Sequence, residues 1–194
     1  YAAGVVTFEE GLKLVKKRAE SMQKSAQNNP SGMLAVIGAE KSDLEAMDGK
    51  DLYIANLNCP GQVVVSVAAD KMQSVQEELA GRGFKRVMPL AVSGGFHAPF
   101  MQDAEAELYR AVADTVFVDA KIPVICNIDA QVHTNAMELK ENLVRQLTGS
   151  VLWWKSVENM KAMGVETFYE VGPGQVLKGI LRKIDKGLTV ENYG

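Results

Sequence analysis

Histidine and cysteine are scarce in this chain of 194 residues, two of each, and that scarcity excludes several chemistries. Cys59 and Cys126 lie far apart and form no CxxC pair, which argues against a zinc or disulfide framework and fits a reducing, cytoplasmic compartment. With His97 and His133 as the only imidazoles, a histidine-based metal site is not expected. No apolar run is long enough to cross a bilayer. A net charge of −3 gives no general affinity for nucleic acid or an anionic membrane, so neither is expected as a partner. P-loop and dinucleotide fingerprints are missing, and no cofactor is expected. The G-x-S-x-G nucleophile elbow is missing too, and neither Ser93 nor Ser150 has its pattern. There are no repeats or low-complexity segments. The chain opens Tyr1-Ala2-Ala3-Gly4 without an initiator methionine or a visible signal peptide, as if cut from something longer.

What is present suits a globular α/β protein of one large domain, or one domain with a small insert. Thr7-Phe8-Glu9-Glu10 forms a capping box that opens a helix, with Leu12, Val15, Ala19 and Met22 as its apolar stripe. Arg18 borders that stripe. Either its stem covers apolar surface while the head snorkels, or the guanidinium enters a pocket to bind an anion. Asn28 to Gly32 breaks the pattern. Strands are predicted over 33–37, 52–56, 62–67 and 84–90, with helices over 42–47 and from an Asp70/Gln73 capping box to Gly81 or Gly83. This β-α-β-β-α-β order is the ferredoxin-like arrangement. The predicted division is 1–31 and 93–194 for a large α/β subdomain and 32–92 for a small one inserted in it.

The stretch Val92-Ser93-Gly94-Gly95-Phe96-His97-Ala98-Pro99-Phe100 links the last of these strands to a helix marked by Phe100, Ala104, Leu108 and Ala111. The glycines permit backbone angles closed to other residues, and Pro99 suits a helix first turn. His97 therefore stands at a strand-to-helix corner, as a catalytic base or as a satisfied helix cap. Further on, the apolar run Pro123 to Ile128 has the character of a buried parallel strand. Asn135 with Glu138 opens a helix striped by Leu139, Leu143 and Leu147. Gln146 falls on the same side, either needing a buried partner or simply ending the helix. Trp153 and Trp154 open another helix. Thr167 to Val171 is a strand, and Gly172-Pro173-Gly174 turns it into a helix over 176–184 whose N-terminus could face an anion.

Five stretches, taken in order, resemble the malonyl-CoA:acyl carrier protein transacylases and, more loosely, the acyltransferase domains of polyketide synthases. They are Val15 to Gln23, Asn56 to Val64, Gly95 to Met101, Leu143 to Leu147 and Tyr169 to Gly174. The resemblance implies an α/β-hydrolase-like large subdomain interrupted by the ferredoxin-like one. It implies that His97 is a base activating a serine, that the Gln146 main-chain carbonyl holds the imidazole, and that Arg18 binds the malonyl carboxylate. It also implies that Asn56 and Asn58 line the acyl side of the cleft, and that Phe96 favours malonyl over methylmalonyl units. The implied partners are malonyl-CoA and acyl carrier protein. The basic residues Lys178, Arg182, Lys183 and Lys186 read either as a docking face for the acidic carrier or as a solvated charged face. The family serine and oxyanion donors match nothing in this chain, which resembles the C-terminal portion of the enzyme and is expected to be inactive alone. A related serine hydrolase, or a non-catalytic fragment or scaffold, are the other expectations.

Overall fold

Along Gln62–Ala68 the side chains of Val63, Val65 and Val67 enter one apolar cluster, and that of Val64 enters another on the opposite face. Alternation places successive side chains on opposite faces of a strand, so burial of both sets means that the sheet is covered on both sides. The computed structural model, which describes residues 1–194, contains this segment as β3 of a four-stranded sheet. Its other strands are β1 (Ser31–Ile37), β2 (Tyr53–Cys59) and β4 (Arg86–Pro89), in the order β2-β3-β1-β4 with every pair antiparallel. Short α2 (Lys41–Leu44) and α3 (Met72–Gly81) lie between strands in sequence, completing the predicted βαββαβ unit. Leu44, Met47, Val75 and Leu79 close its outer core. Its inner face, Met33, Ala35, Ala55 and Val64, packs on Phe96. The segment before His97 is thus seated on the small sheet.

A second layer holds α1 (Phe8–Asn28), α4 (Gln102–Ala113) and α5 (Ala136–Arg145) around Leu14, Met22, Met101, Leu108, Val144 and Leu147. The Thr7/Glu10 capping box of α1 is formed in both directions. The buried stripe of α1 differs from the expected one: Leu12 and Val15 are exposed, and the inward face is Leu14, Ser21, Met22, Ser25 and Ala26. Two serines disguise it. Ser21 Oγ donates to the Glu107 carboxylate and Ser25 Oγ to the Phe100 carbonyl, so both are satisfied where they are buried. Arg18 stands one turn from both Leu14 and Met22, on this inward face rather than beside it.

Two other expectations are corrected. Asp70 and Gln73 form no capping box: Ala69–Lys71 is a 3₁₀ turn, α3 starts at Met72 without a side-chain cap, and Gln73 bonds Glu77 instead. Pro123 to Ile128 is no buried parallel strand. It contributes the two-residue β5 (Val124–Ile125), antiparallel to β6 (Val132–His133), because the Ala130 and Cys126 amides close a tight turn around Ala130, which has φ 60°.

The chain ends in α6 (Trp153–Ala162), β7 (Thr167–Val171), α7 (Val176–Ile184) and β8 (Thr189–Tyr193), with β7 and β8 parallel. The expected anion-facing helix terminus is already filled by the chain itself. The Glu170 carboxylate accepts from the Leu177 and Lys178 amides at 2.9 and 3.0 Å, a negative charge on the positive end of α7. Glu170→Ala leaves both donors to solvent and should lower stability by about 1 kcal/mol. A urea midpoint no different from wild type would show that the Gly172–Gly174 turn holds α7 unaided.

Candidate active site

His97 reaches its place through a loop pinned at consecutive residues. The Gly94 backbone lies so close to Ala26 of α1 that an added Cβ would come within 2.7 Å of the alanine Cβ, and one on Gly95 within 2.8 Å of the Phe100 ring. Neither glycine has a positive φ. Their contribution is room, not the unusual backbone angles expected of them. The Gly95 amide donates to Ser31 Oγ at 2.9 Å, and Ser66 Oγ donates to the Phe96 carbonyl at 2.6 Å. The strained residue is His97 itself, with φ 55°. Pro99 then opens the 3₁₀ turn that leads into α4.

The imidazole does not cap that helix. Its Nδ1 lies 2.7 Å from the main-chain oxygen of Gln146. A carbonyl only accepts, so Nδ1 carries the proton and the neutral ring presents a bare lone pair at Nε2. Gln146 is the residue that ends α5, and it is buried. Its side-chain amide is used at both ends: Nε2 donates to the Leu143 carbonyl at 3.1 Å, and Oε1 accepts from Arg18 Nη2 at 3.1 Å. Arg18, His97 and Gln146 are thereby joined in one network, drawn from α1, the loop before α4, and the end of α5. Sequence reasoning left each of these residues with a bland alternative; the contacts make all three parts of a single arrangement.

Burial pushes the Arg18 guanidinium below its ordinary value, and no carboxylate offsets it. Its one side-chain partner is the neutral amide of Gln146, so it keeps donors for an anion. It lines a cleft of about 440 Å³ together with Leu14, Phe117, Leu139 and Gln146. His97 does not line this cleft; Gln146 stands between the two. Burial likewise pushes the His97 pKa down from 6.5, helped by the Arg18 charge and opposed by the backbone of Gln146 and Gly149.

Asn56 and Asn58 lie outside this network. Both are half-buried on β2, and β2 is stitched through the main chain to the segment after Gln146: the Leu57 amide donates to the Val151 carbonyl and the Val151 amide to the Ala55 carbonyl. The Phe96 ring packs on both the helical core and the inner face of the small sheet. Sequence reasoning missed Ser31, Ser66 and Gly149. Ser66 had a signal, a lone hydroxyl within Gln62-Val63-Val64-Val65-Ser66-Val67, since a polar group in a buried strand must find a partner.

A cluster at the start of α5 was also missed. His133 bonds Glu138 through Nδ1 and Asp129 through Nε2, both at 2.9 Å, while Asn142 donates to Asp129. The Asn135 side chain caps α5 as expected, but Glu138 turns to His133 instead of back to the cap. Hydrogen bonding to Glu138, and then to Asp129, lifts the His133 pKa. The helix that presents Gln146 is thus tied down at its far end.

A family model described as the acyl transferase domain matches residues 1–191. The chain belongs to this family. The domain is 36% identical over 193 residues to the malonyl CoA-acyl carrier protein transacylase of Bacillus subtilis strain 168, covering 96% of this chain and 61% of that protein. It superposes on an acyl carrier protein S-malonyltransferase of Vibrio cholerae with a TM-score of 0.92 at 36% identity, covering 99% of this chain and 64% of that one. A malonyl-transacylase solved in complex with a type II PKS acyl-carrier protein gives a TM-score of 0.91 at 30% identity, covering 98% and 63%. The chain therefore spans about three-fifths of the length of these relatives.

The two imidazoles of this domain should titrate on opposite sides of 6.5, His97 below and His133 above. The raised group adds stability that is complete below the ordinary imidazole range and is lost as pH rises through its folded pKa. The depressed group adds stability present above that range and lost as pH falls through its own. A ring titration by NMR, with His133→Ala for assignment, checks this; coincident midpoints would contradict both environments.

Proposed function

We propose that this acyl transferase domain supplies the base, the base's acceptor and the carboxylate-binding arginine of a malonyl-CoA:acyl carrier protein transacylase, acting in the cytoplasm in fatty acid synthesis. The observation that carries the reading is the joining of Arg18, His97 and Gln146 through one residue. The names of the relatives support the substrate class. We propose the division 1–31, 32–92 and 93–194 for the two subdomains, the site lying where they meet.

In this reading His97 Nε2 takes the proton of a serine hydroxyl as its oxygen attacks the malonyl thioester carbon, and the imidazolium returns the proton to the departing CoA sulfur. The phosphopantetheine thiol of acyl carrier protein then gives its proton to Nε2 and attacks the malonyl-serine ester; the C–Oγ bond breaks and the imidazolium returns the proton to the departing serine oxygen. Arg18 holds the malonyl carboxylate, bidentately where both oxygens reach the planar guanidinium. Asn56 and Asn58 flank the acyl group, and Phe96 limits the space at its C2 carbon. The 194 residues contain no serine elbow, so tests of turnover use a protein in which a segment bearing the serine is joined to this chain.

Acetyl-CoA leaves Arg18 without an anion, whereas malonyl-CoA does not. Arg18→Ala should therefore lower malonyl transfer about 10–100-fold and acetyl transfer far less. Equal losses for the two esters would make Arg18 a structural residue, and release of free malonate in place of malonyl-carrier would favour a hydrolase. For the carrier, Lys178 and Arg182 on α7 and Lys186 in the turn after it are unpaired cations, while Lys183 is bonded to Gln62 of the small sheet. Charge reversal at Lys178 and Arg182 should raise KM for the acidic carrier and leave KM for malonyl-CoA unchanged. A carrier KM that stays put removes α7 from the docking surface.

A further inference from the structure

Ser66 is fully buried in β3. In register it lies opposite Met33 of β1 and Tyr53 of β2, so it belongs to the middle of the small sheet. Its neighbours Val63, Val64, Val65 and Val67 are all core residues. A hydroxyl in this company has no packing reason to be there, and valine would suit the strand better. Its one use is the 2.6 Å hydrogen bond to the carbonyl of Phe96.

That carbonyl belongs to the peptide bond joining Phe96 to His97. A peptide is planar, so fixing the direction of its C=O fixes the plane, and the orientation of this plane about the next N–Cα bond is φ of His97. With φ at 55°, His97 occupies the left-handed region that disfavours a side-chain-bearing residue. Freed, the peptide would tend to swing toward a negative φ and carry the ring away from Gln146. One residue earlier, the Gly95 amide is held by Ser31 Oγ, whose own hydroxyl donates to the Asn29 carbonyl at 2.9 Å. The two serines brace consecutive residues of the loop from the sheet beneath it.

We infer that Ser66 is a positioning residue for His97, acting through the Phe96 carbonyl to hold the peptide plane that aims the imidazole at Gln146. The inference deepens the proposed function, in which His97 is the base, but the position of the ring can be read without any turnover. The charged group that faces the imidazole is Arg18 of α1; Gln146 and Gly149 face it with backbone groups.

The experiment follows both histidine rings by NMR in wild type, Ser66→Ala and Ser66→Thr. In Ser66→Ala the His97 midpoint should rise toward 6.5 as the ring gains solvent, and its Nδ1 proton should exchange about 3–10-fold faster with the bracing bond gone. His133 should not move, and Ser66→Thr, which keeps the hydroxyl, should restore both values. A folded Ser66→Ala protein with a lower melting temperature and an unmoved His97 would overturn the inference, since that is what a merely structural serine does. If Ser66→Ala does not fold, Ser31→Ala decides: faster Nδ1 exchange supports the brace, and an unchanged rate overturns it. Neither readout involves malonyl transfer. Loss of the transferase reading would leave the ring results standing, and an unmoved ring would leave the transferase reading standing.

Discussion

The hydrogen bond from His97 Nδ1 to the Gln146 carbonyl joins positions 49 residues apart and selects the tautomer that leaves Nε2 free. Its net worth is about 1 kcal/mol, as for most internal hydrogen bonds. That is no more than the cost of the left-handed backbone His97 must adopt to make it. The bond therefore cannot hold the ring alone, and much of the surrounding structure is explained by what else must hold it. Gly94 lets the loop settle against α1, Ser31 and Ser66 tether it to the small sheet, and Phe96 wedges between two cores. On the acceptor side α5 is capped by Asn135, clamped at its start through His133, and closed at its end by Gln146.

The two histidines show how the same side chain is put to opposite uses. His133 sits between two carboxylates, and its added proton strengthens both contacts. His97 is buried with a guanidinium nearby, and both disfavour charge on it, against the pull of the backbone acceptors of Gln146 and Gly149. A group that must accept a proton transiently belongs in the second environment, and a group that ties a hairpin to a helix belongs in the first.

The small sheet was legible because its signals are local. Alternating strands, glycine breaks and the hairpin at Pro60-Gly61 depend on neighbours in sequence, and the order β-α-β-β-α-β admits few arrangements. Arg18, His97 and Gln146 were legible as separate residues, each with an ordinary explanation beside it, and became a group only through the family resemblance and then through distances. What stayed hidden depends on partners far away in sequence. The α1 stripe was misplaced because Ser21 and Ser25 are buried by virtue of Glu107 on α4 and Phe100 in the turn before it. The run before Ile128 has the composition of a core strand, yet Ala130 turns it back within a few residues. Gly94 and Gly95 looked like residues chosen for backbone freedom, and only the packing of Ala26 and Phe100 shows that bulk is what they avoid.

Gln146 serves its two neighbours with different parts of itself, the main chain for His97 and the side chain for Arg18. Where a carboxylate side chain orients a histidine, a single codon change can delete the partner. Here no codon change can, because every amino acid carries the same carbonyl. Variation at position 146 is free to reshape the hold on the arginine, and with it the anion that is welcomed, while the imidazole keeps its acceptor. In the proposed transferase reading, selectivity and proton transfer are in this way separately heritable at one residue.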